Sequence, residues 1–185
     1  DKMIVVLGPT ASGKTSLAVQ LADTINGEII SADSRQIYKG MDIGTGKDLD
    51  EYIINNKTIN YHLIDILDPQ EDYSVFQFKN DCQKIMMNIK SENKLPILCG
   101  GTGLYIESIL LDYQMPKTKP NHNLRSELED QSIEELTRYL LKLNRNEFNK
   151  EYHISKRRLI RSIEILEDQN TINMKELGHN ILDDA

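Results

Sequence analysis

Short apolar runs alternate with helical spacing along the N-terminal part of the chain. Met3 to Leu7 (MIVVL), Glu28 to Ala32 (EIISA), Tyr61 to Leu67 (YHLIDIL) and Leu95 to Cys99 (LPILC) have strand length, and each is followed by glycine, proline or a polar turn. Between them, Leu17, Leu21 and Ile25 recur at helical spacing, with Asn26-Gly27 as a helix stop. Ser74 with Gln77 forms a capping box ahead of Phe78, Cys82, Ile85, Met86 and Ile89, which repeat as one helical face. A further helix is predicted from Leu104 to Leu111, after the turn Gly100-Gly101-Thr102-Gly103. Strand and helix in repeated alternation predict a parallel, doubly wound sheet.

The pattern changes between Asp112 and Pro120, and only helical signals follow. A second capping box, Ser132 with Glu135, opens a helix through Ile133, Leu136, Leu140 and Leu143, and another runs from about Ser155 to Asp168 with Leu159, Ile163 and Leu166 on its apolar face. The expected architecture is an α/β P-loop core over residues 1–120, a helical lobe or insertion over 121–170, and an unassigned tail over 171–185. Ser34 to Asp48, rich in glycine and poor in apolar anchors, is expected to be a long ordered loop or broken helix, and loops of that length in a compact core are usually functional.

Composition narrows the classes. A chain of 185 residues buries one substantial core, and its first residue, Asp1, makes it read as a trimmed or partial chain. No apolar run reaches membrane-spanning length and no signal peptide precedes Met3, so a cytoplasmic protein with no membrane partner is expected. Cys82 and Cys99 have neither metal-site nor disulfide spacing and are expected to be core residues. The histidines, His62, His122, His153 and His179, are too scattered for a structural zinc site. A net charge of −7 argues against a protein that coats nucleic acid by overall basicity, while leaving room for a local basic patch.

The chemistry begins at the end of the first run. Gly8-Pro9-Thr10-Ala11-Ser12-Gly13-Lys14-Thr15 fits G-x-x-x-x-G-K-[ST] at every fixed position, between a predicted strand and a predicted helix. In that setting backbone N–H groups and the positive helix end point inward, Lys14 adds a full charge, and the Thr15 hydroxyl is placed to hold Mg²⁺, so a di- or triphosphate is the expected ligand. Asp33, at the end of the second predicted strand, is the carboxylate expected to face that ligand from the neighbouring strand. Its open roles are outer Mg²⁺ ligand, orienter of a hydroxyl, proton acceptor, or simply the cap of the next turn. Asp65 is a further candidate for Mg²⁺ or for a loop cap. The turn at Gly100 to Gly103 brings small residues and the Thr102 hydroxyl to a strand end, as a ligand approach or as plain turn chemistry. Lys156-Arg157-Arg158-Leu159-Ile160-Arg161 places three cations in the opening turn of a predicted helix, against its macrodipole, and such a broken rule suggests an anionic partner such as RNA.

Taken together, GPTASGKT (8 to 15), SADSRQIYKGMDIGTGK (31 to 47), YHLIDILDPQEDYSVFQF (61 to 78), LCGGTGLYIESIL (98 to 110) and RRLIRSIEIL (157 to 166), in that order and spacing, resemble the bacterial tRNA dimethylallyltransferase family. The resemblance implies transfer of a dimethylallyl group from dimethylallyl diphosphate to N6 of adenosine 37, beside the anticodon of tRNAs reading codons that begin with U. Its partners would be the tRNA anticodon stem-loop and the prenyl diphosphate, with Mg²⁺ as cofactor and the protein a monomer. It implies the donor on Thr10 to Thr15, the target nucleotide against Asp33, Ser34, Arg35 and Gln36, Thr102 near the reacting groups, and RNA contacts at Arg125 and over Arg157, Arg158, Leu159, Ile160 and Arg161. Lys14, Asp33 and Thr102 are the expected catalytic residues. Family members add a C-terminal arginine and basic helices, and no such block follows Gln169 here. Two other readings compete: a small-molecule P-loop kinase, with ATP on Gly8 to Thr15 and Asp33 orienting a hydroxyl, and a catalytically silent RNA-binding fragment.

Overall fold

The computed structural model describes residues 2–47, 49–144, 146 and 155–182, with 170–182 described in backbone alone. Asp48 and His153 lie outside the described residues, as do the side chain of His179 and the end of the tail, 183–185. The chain divides into two compact units, Asp1–Gln114 and Met115–Ala185.

Unit 1 is an α/β layer structure. Its elements are β1 (Ile4–Leu7), α1 (Lys14–Ile25), β2 (Gly27–Ser31), a 3-10 turn (Leu49–Tyr52), β3 (Ile53–Ile54), β4 (Lys57–Thr58), β5 (Tyr61–His62), α2 (Val75–Ser91), β6 (Leu95–Gly100) and α3 (Gly103–Leu110). The main sheet has the order β1-β6-β2-β5 and is parallel throughout. Adjacent apolar residues in each central strand serve opposite faces: Ile29 and Ile97 pack beneath α1 with Ala18, Val19 and Ala22, whereas Ile30 and Leu98 pack with Phe78, Cys82, Ile89 and Ile106 of α2 and α3. A strand buried on both faces favours apolar residues at successive positions, which is why these strands read as near-continuous runs, and the buried polar residues of β2, Glu28 and Ser31, are hydrogen-bonded. Each such side chain contributes roughly 1.5–3 kcal/mol by its burial.

The structure adds to or departs from the sequence pattern in three places. Of the Leu17, Leu21 and Ile25 repeat of α1 only Leu21 packs partly against the core, while Leu17 is 51% exposed and the sheet receives Ala18, Val19 and Ala22, residues that let the helix sit close. The predicted strand from Tyr61 to Leu67 stops after His62, because Leu63 and Asp65 take left-handed backbone conformations (φ 60° and 54°) that no strand carries. Residues 65–67 turn instead onto the loop after β2, where the Asp65 and Ile66 N–H groups donate to the carbonyls of Gln36 and Ile37. The apolar pattern also gives no sign of the β3–β4 hairpin, whose turn residues Asn55 and Asn56 both have positive φ, as a two-residue hairpin requires.

Unit 2 is helical: α4 (His122–Glu129), α5 (Ile133–Leu143) and α6 (Lys156–Leu182). Its core is Leu128, Leu136, Leu140, Leu159, Ile160, Ile163 and Leu166. Both predicted capping boxes form, at Ser74–Gln77 and at Ser132–Glu135. The last helix runs past its expected end at Asp168 to Leu182, although this stretch includes poor helix formers such as Asn170, Thr171, Asn173 and Gly178. Among the described residues no helix is long and apolar enough to cross a membrane.

Candidate active site

The carboxyl ends of β1, β6 and β2 lie side by side, and each runs directly into one of the segments singled out by sequence. β1 delivers the Gly8–Gly13 loop, whose Ala11 and Gly13 take positive φ (60° and 76°) so that the chain wraps ahead of α1. Gly13 caps α1 with no side-chain hydrogen bond and no acid stands in the first turn, so the first N–H groups and the positive helix end are left to an anion. Lys14 folds back along the loop, its ammonium donating to the Pro9 carbonyl. Thr15 follows as the second residue of the helix, half-buried.

β6 lies between the P-loop strand and β2, so Asp33 is not on the neighbouring strand as expected but one strand farther off. The space between is filled by the glycine turn. A Cβ on Gly100 would stand 2.3 Å from the Ala32 carbonyl oxygen, and one on Gly101 3.5 Å from that of Gly8, so the turn is packed against both neighbours. Thr102 then ties β6 to the segment after β2. Its N–H donates to the Ala32 carbonyl at 3.0 Å, its hydroxyl oxygen accepts from the Ser34 N–H at 3.0 Å, and the hydroxyl lies 3.4 Å from Ser34 Oγ.

Asp33 does cap the next turn: Oδ1 accepts from the Arg35 N–H at 2.9 Å. Its Oδ2 has no hydrogen bond among the described residues. Arg35 is exposed, whereas Gln36 is turned inward, its amide oxygen accepting from the Ser31 hydroxyl at 2.8 Å and its amide nitrogen donating to the Gly46 carbonyl at 3.1 Å. These bonds make Gln36 an organiser of the loop.

The rest of the loop is held by Lys47, which sequence reading did not single out. Its side chain is 1% exposed, and its ammonium donates to the Tyr38 carbonyl at 2.8 Å, to Asp42 Oδ1 at 3.1 Å and to Asp65 Oδ1. Burial alone would lower the lysine pKa, but the two carboxylates outweigh it and hold the ammonium above its ordinary value. Asp65, a candidate for Mg²⁺ by sequence, is thus the partner of Lys47. Thr45, also buried, donates its hydroxyl to the Met41 carbonyl at 2.7 Å.

In unit 2 the predicted basic segment separates into two kinds of residue. Leu159 and Ile160 are core residues, 0% and 4% exposed, so their side chains cannot meet RNA, a correction imposed by the helical repeat that turns them inward. Arg157 and Arg158 are exposed. Arg161 and Arg125 converge on Glu164, whose side chain is 0% exposed: Arg125 bonds it through Nε at 2.7 Å and Nη2 at 2.9 Å, Arg161 through Nη1 at 3.2 Å, and the Asn121 N–H donates to it at 2.8 Å. Burial pushes the Glu164 carboxyl up, yet Arg125, the Asn121 N–H and Arg161 hold it below the usual carboxylate range. The sequence signal was present: Glu164 stands four residues after Ile160, on the apolar face of α6. The charge anomaly at the start of α6 is partly resolved too, because Lys156 donates to the carbonyl of Glu129, the last residue of α4, where a cation is favourable. A cleft of about 570 Å³ opens in this unit, rimmed by Lys117, Lys119 and His122.

With this geometry in place, comparison with known proteins is decisive. The family described as IPP transferase matches residues 36–180. The chain belongs to the IPP transferase family. Over 164 residues it is 56% identical to tRNA dimethylallyltransferase 1 of Azobacteroides pseudotrichonymphae genomovar CFP2, an alignment covering 89% of the chain and 53% of that protein. Its fold is similar to the crystal structure of the tRNA isopentenylpyrophosphate transferase of Bacillus halodurans (TM-score 0.59, 36% identity, 90% of this chain and 55% of that one). It is also similar to a eukaryotic dimethylallyltransferase acting on tRNA (TM-score 0.74, 30% identity, 89% of this chain and 41% of that one). The chain spans about half the length of the curated relatives it matches.

Proposed function

We propose that this IPP transferase family chain carries the donor and acceptor sites of a tRNA prenyl transfer: the dimethylallyl group of dimethylallyl diphosphate moves to N6 of adenosine 37 in tRNAs that read codons beginning with U. One observation carries the reading. The phosphate loop, the Gly100–Thr102 turn and the Asp33–Ser34 turn follow one another along a single sheet edge in the order β1, β6, β2, with Thr102 bonded to the acceptor-side turn. Family membership supports the chemistry, and the tRNA activity named for the relatives supports the acceptor.

The adenine N6 lone pair is delocalised into the ring, so most of the work falls on the leaving group. The C1–O bond of the donor breaks as the C1–N6 bond forms, and diphosphate departs against the α1 N-terminus and Lys14, preorganised positive groups that stabilise the charge building there. The new N6 is cationic and loses one proton, for which Asp33 Oδ2 is the acceptor in reach of the acceptor turn. Thr102 holds that turn in register with the phosphate loop. Arg35, Arg157 and Arg158 are the exposed cations that meet RNA, while Arg125 and Arg161 act from their seat on Glu164.

Thr15 fits Mg²⁺: a hard hydroxyl oxygen in the first turn of a helix whose N-terminus faces an anion suits an ion that keeps waters and shares the phosphate. Among the described residues no group of three His, Cys, Asp or Glu is placed to hold a metal ion. Bound at Thr15, Mg²⁺ would add Lewis-acid stabilisation of the leaving group.

The test is incubation of the chain, and of a full-length version, with Mg²⁺, dimethylallyl diphosphate and an unmodified tRNA transcript. The expected result is a mass gain of one isoprene unit on adenosine 37, abolished by Asp33→Ala with RNA binding retained. Transfer of the γ-phosphate of ATP to a metabolite, with no RNA prenylation by either protein, would replace this reading with the kinase.

A further inference from the structure

We propose that Lys47 is a positioning residue for the acceptor: it clamps two loops into the frame that presents Asp33, Ser34 and Arg35. The clamp has three independent anchors. Lys47 reaches the Tyr38 carbonyl and Asp42 within the loop after β2, and Asp65 on the segment after β5. Those two segments are already joined by backbone, since the N–H groups of Asp65 and Ile66 donate to the Gln36 and Ile37 carbonyls and that of Lys39 donates to Leu67. A further tie lies beside Lys47, where the Gln36 amide bonds the Gly46 carbonyl and reaches back to Ser31 on β2.

The acceptor turn is therefore gripped from two sides. Thr102 fixes it toward the phosphate loop, and the Gln36–Gly46 and Lys47–Asp65 bonds fix it toward the opposite flank. The loop needs such a device because Gly40, Gly44 and Gly46 all hold positive φ (68°, 76° and 67°), conformations glycine adopts without stabilising them, and apolar anchoring is sparse. Ile37 is buried, but Ile43 at the far side of the loop is 99% exposed. A buried ammonium with three fixed acceptors supplies the order that side-chain packing does not.

The kinetic consequence rests on the prenyl-transfer reading, whereas the clamp itself does not. Lys47→Met keeps the volume and removes the three bonds. Hydrogen exchange should then accelerate over residues 33–47 and 65–67, with protection over α1 and α2 unchanged. Placement errors of an ångström cost up to about 10²-fold in rate, so kcat for tRNA prenylation should fall by roughly 10–100-fold while KM for dimethylallyl diphosphate stays within about twofold. A general loss of stability would not give that split. Should Lys47→Met fail to fold, Asp65→Asn, which weakens one anchor and keeps its shape, should give the same exchange pattern and a loss of about tenfold. Unchanged exchange in the loop, or an unchanged kcat in a variant whose loop does exchange faster, overturns the proposal. Absence of prenylation by the unaltered full-length protein defeats the prenyl-transfer reading alone, and the exchange measurement still decides the clamp.

Discussion

Among the described residues both units bury charge, unit 1 the cation Lys47 as well as the carboxylate Glu28 and unit 2 the anion Glu164, and Lys47 and Glu164 make the clearest contrast. In unit 1 the cation Lys47 is enclosed, with Asp42 and Asp65 reaching it from the loops on either side. In unit 2 the anion Glu164 is enclosed, with Arg125 and Arg161 lying over it. Each buried ion is matched by two partners, as the low-dielectric interior demands. The difference lies in what they join. Lys47 links irregular segments beside the candidate site, so its loss should register in loop order and catalysis before global stability. Glu164 joins α6 to the start of α4 in a helical core, so its loss should register in folding.

The pH dependences run in opposite directions. Lys47 has a raised folded pKa, so its contribution is complete below 10.5, its ordinary value, and is lost as pH rises through the folded value. Glu164 has a lowered folded pKa, so its contribution is complete above 4.5 and is lost as pH falls. Alkali should loosen the loop after β2, and acid the helical unit.

The sharpest way to break this contrast is Glu164→Ala. It empties the buried site on which Arg125, Arg161 and the Asn121 N–H converge. Although the two guanidinium groups, 40% and 30% exposed, can turn to water, the lost bonds, the unpaired N–H and the gap together should cost about 3 kcal/mol in urea unfolding, borne by unit 2. A shift below about 0.5 kcal/mol would reduce Glu164 to a surface-grade ion pair.

Next in size is Glu28, the buried carboxylate of unit 1. It accepts from Asn60 Nδ2 at 2.8 Å and Lys94 Nζ at 2.6 Å and pairs with His62 Nε2 at 2.7 Å. Burial raises its pKa, but Lys94, Asn60 and His62 carry it down to about 2. Its stabilisation is therefore present above the ordinary value of 4.5 and disappears as pH falls toward about 2. Glu28→Gln should remove on the order of 2–3 kcal/mol of that pH-dependent stability, read as a flatter plot of unfolding midpoint against pH in acid.

The smallest effect is expected at Arg157. Arg157→Ala should change stability by less than about 0.5 kcal/mol, yet lower the salt slope of tRNA binding by about 1. An unchanged slope would remove this face of α6 from the RNA contact.

Much of the frame was legible in the residues. The phosphate loop, both capping boxes, the double-faced strands β2 and β6, and the apolar stripe of α6 follow from local rules that tertiary contacts reinforce. The errors share a cause. The Leu17, Leu21 and Ile25 repeat marks α1 as a helix but not its contact face, because a helix against a sheet selects small residues such as Ala18 and Ala22 for close approach. Tyr61 to Leu67 looked like one strand because its residues suit a strand, yet Leu63 and Asp65 turn left-handed to reach the loop beside them. Leu159 and Ile160 were grouped with their charged neighbours in sequence, but the helix points them into the core.

By itself the sequence determined the central strands β1, β2 and β6, most of the helices and the glycine loop ahead of α1, since apolar runs, capping boxes and turn glycines act through groups a few residues apart. The strand order, which sets β6 between the phosphate loop and Asp33, was decided only by the tertiary structure. So were the roles of Lys47 and Glu164, because the energy of a buried charge depends on partners brought from distant parts of the chain, and no local pattern specifies which carboxylate or guanidinium will be standing there.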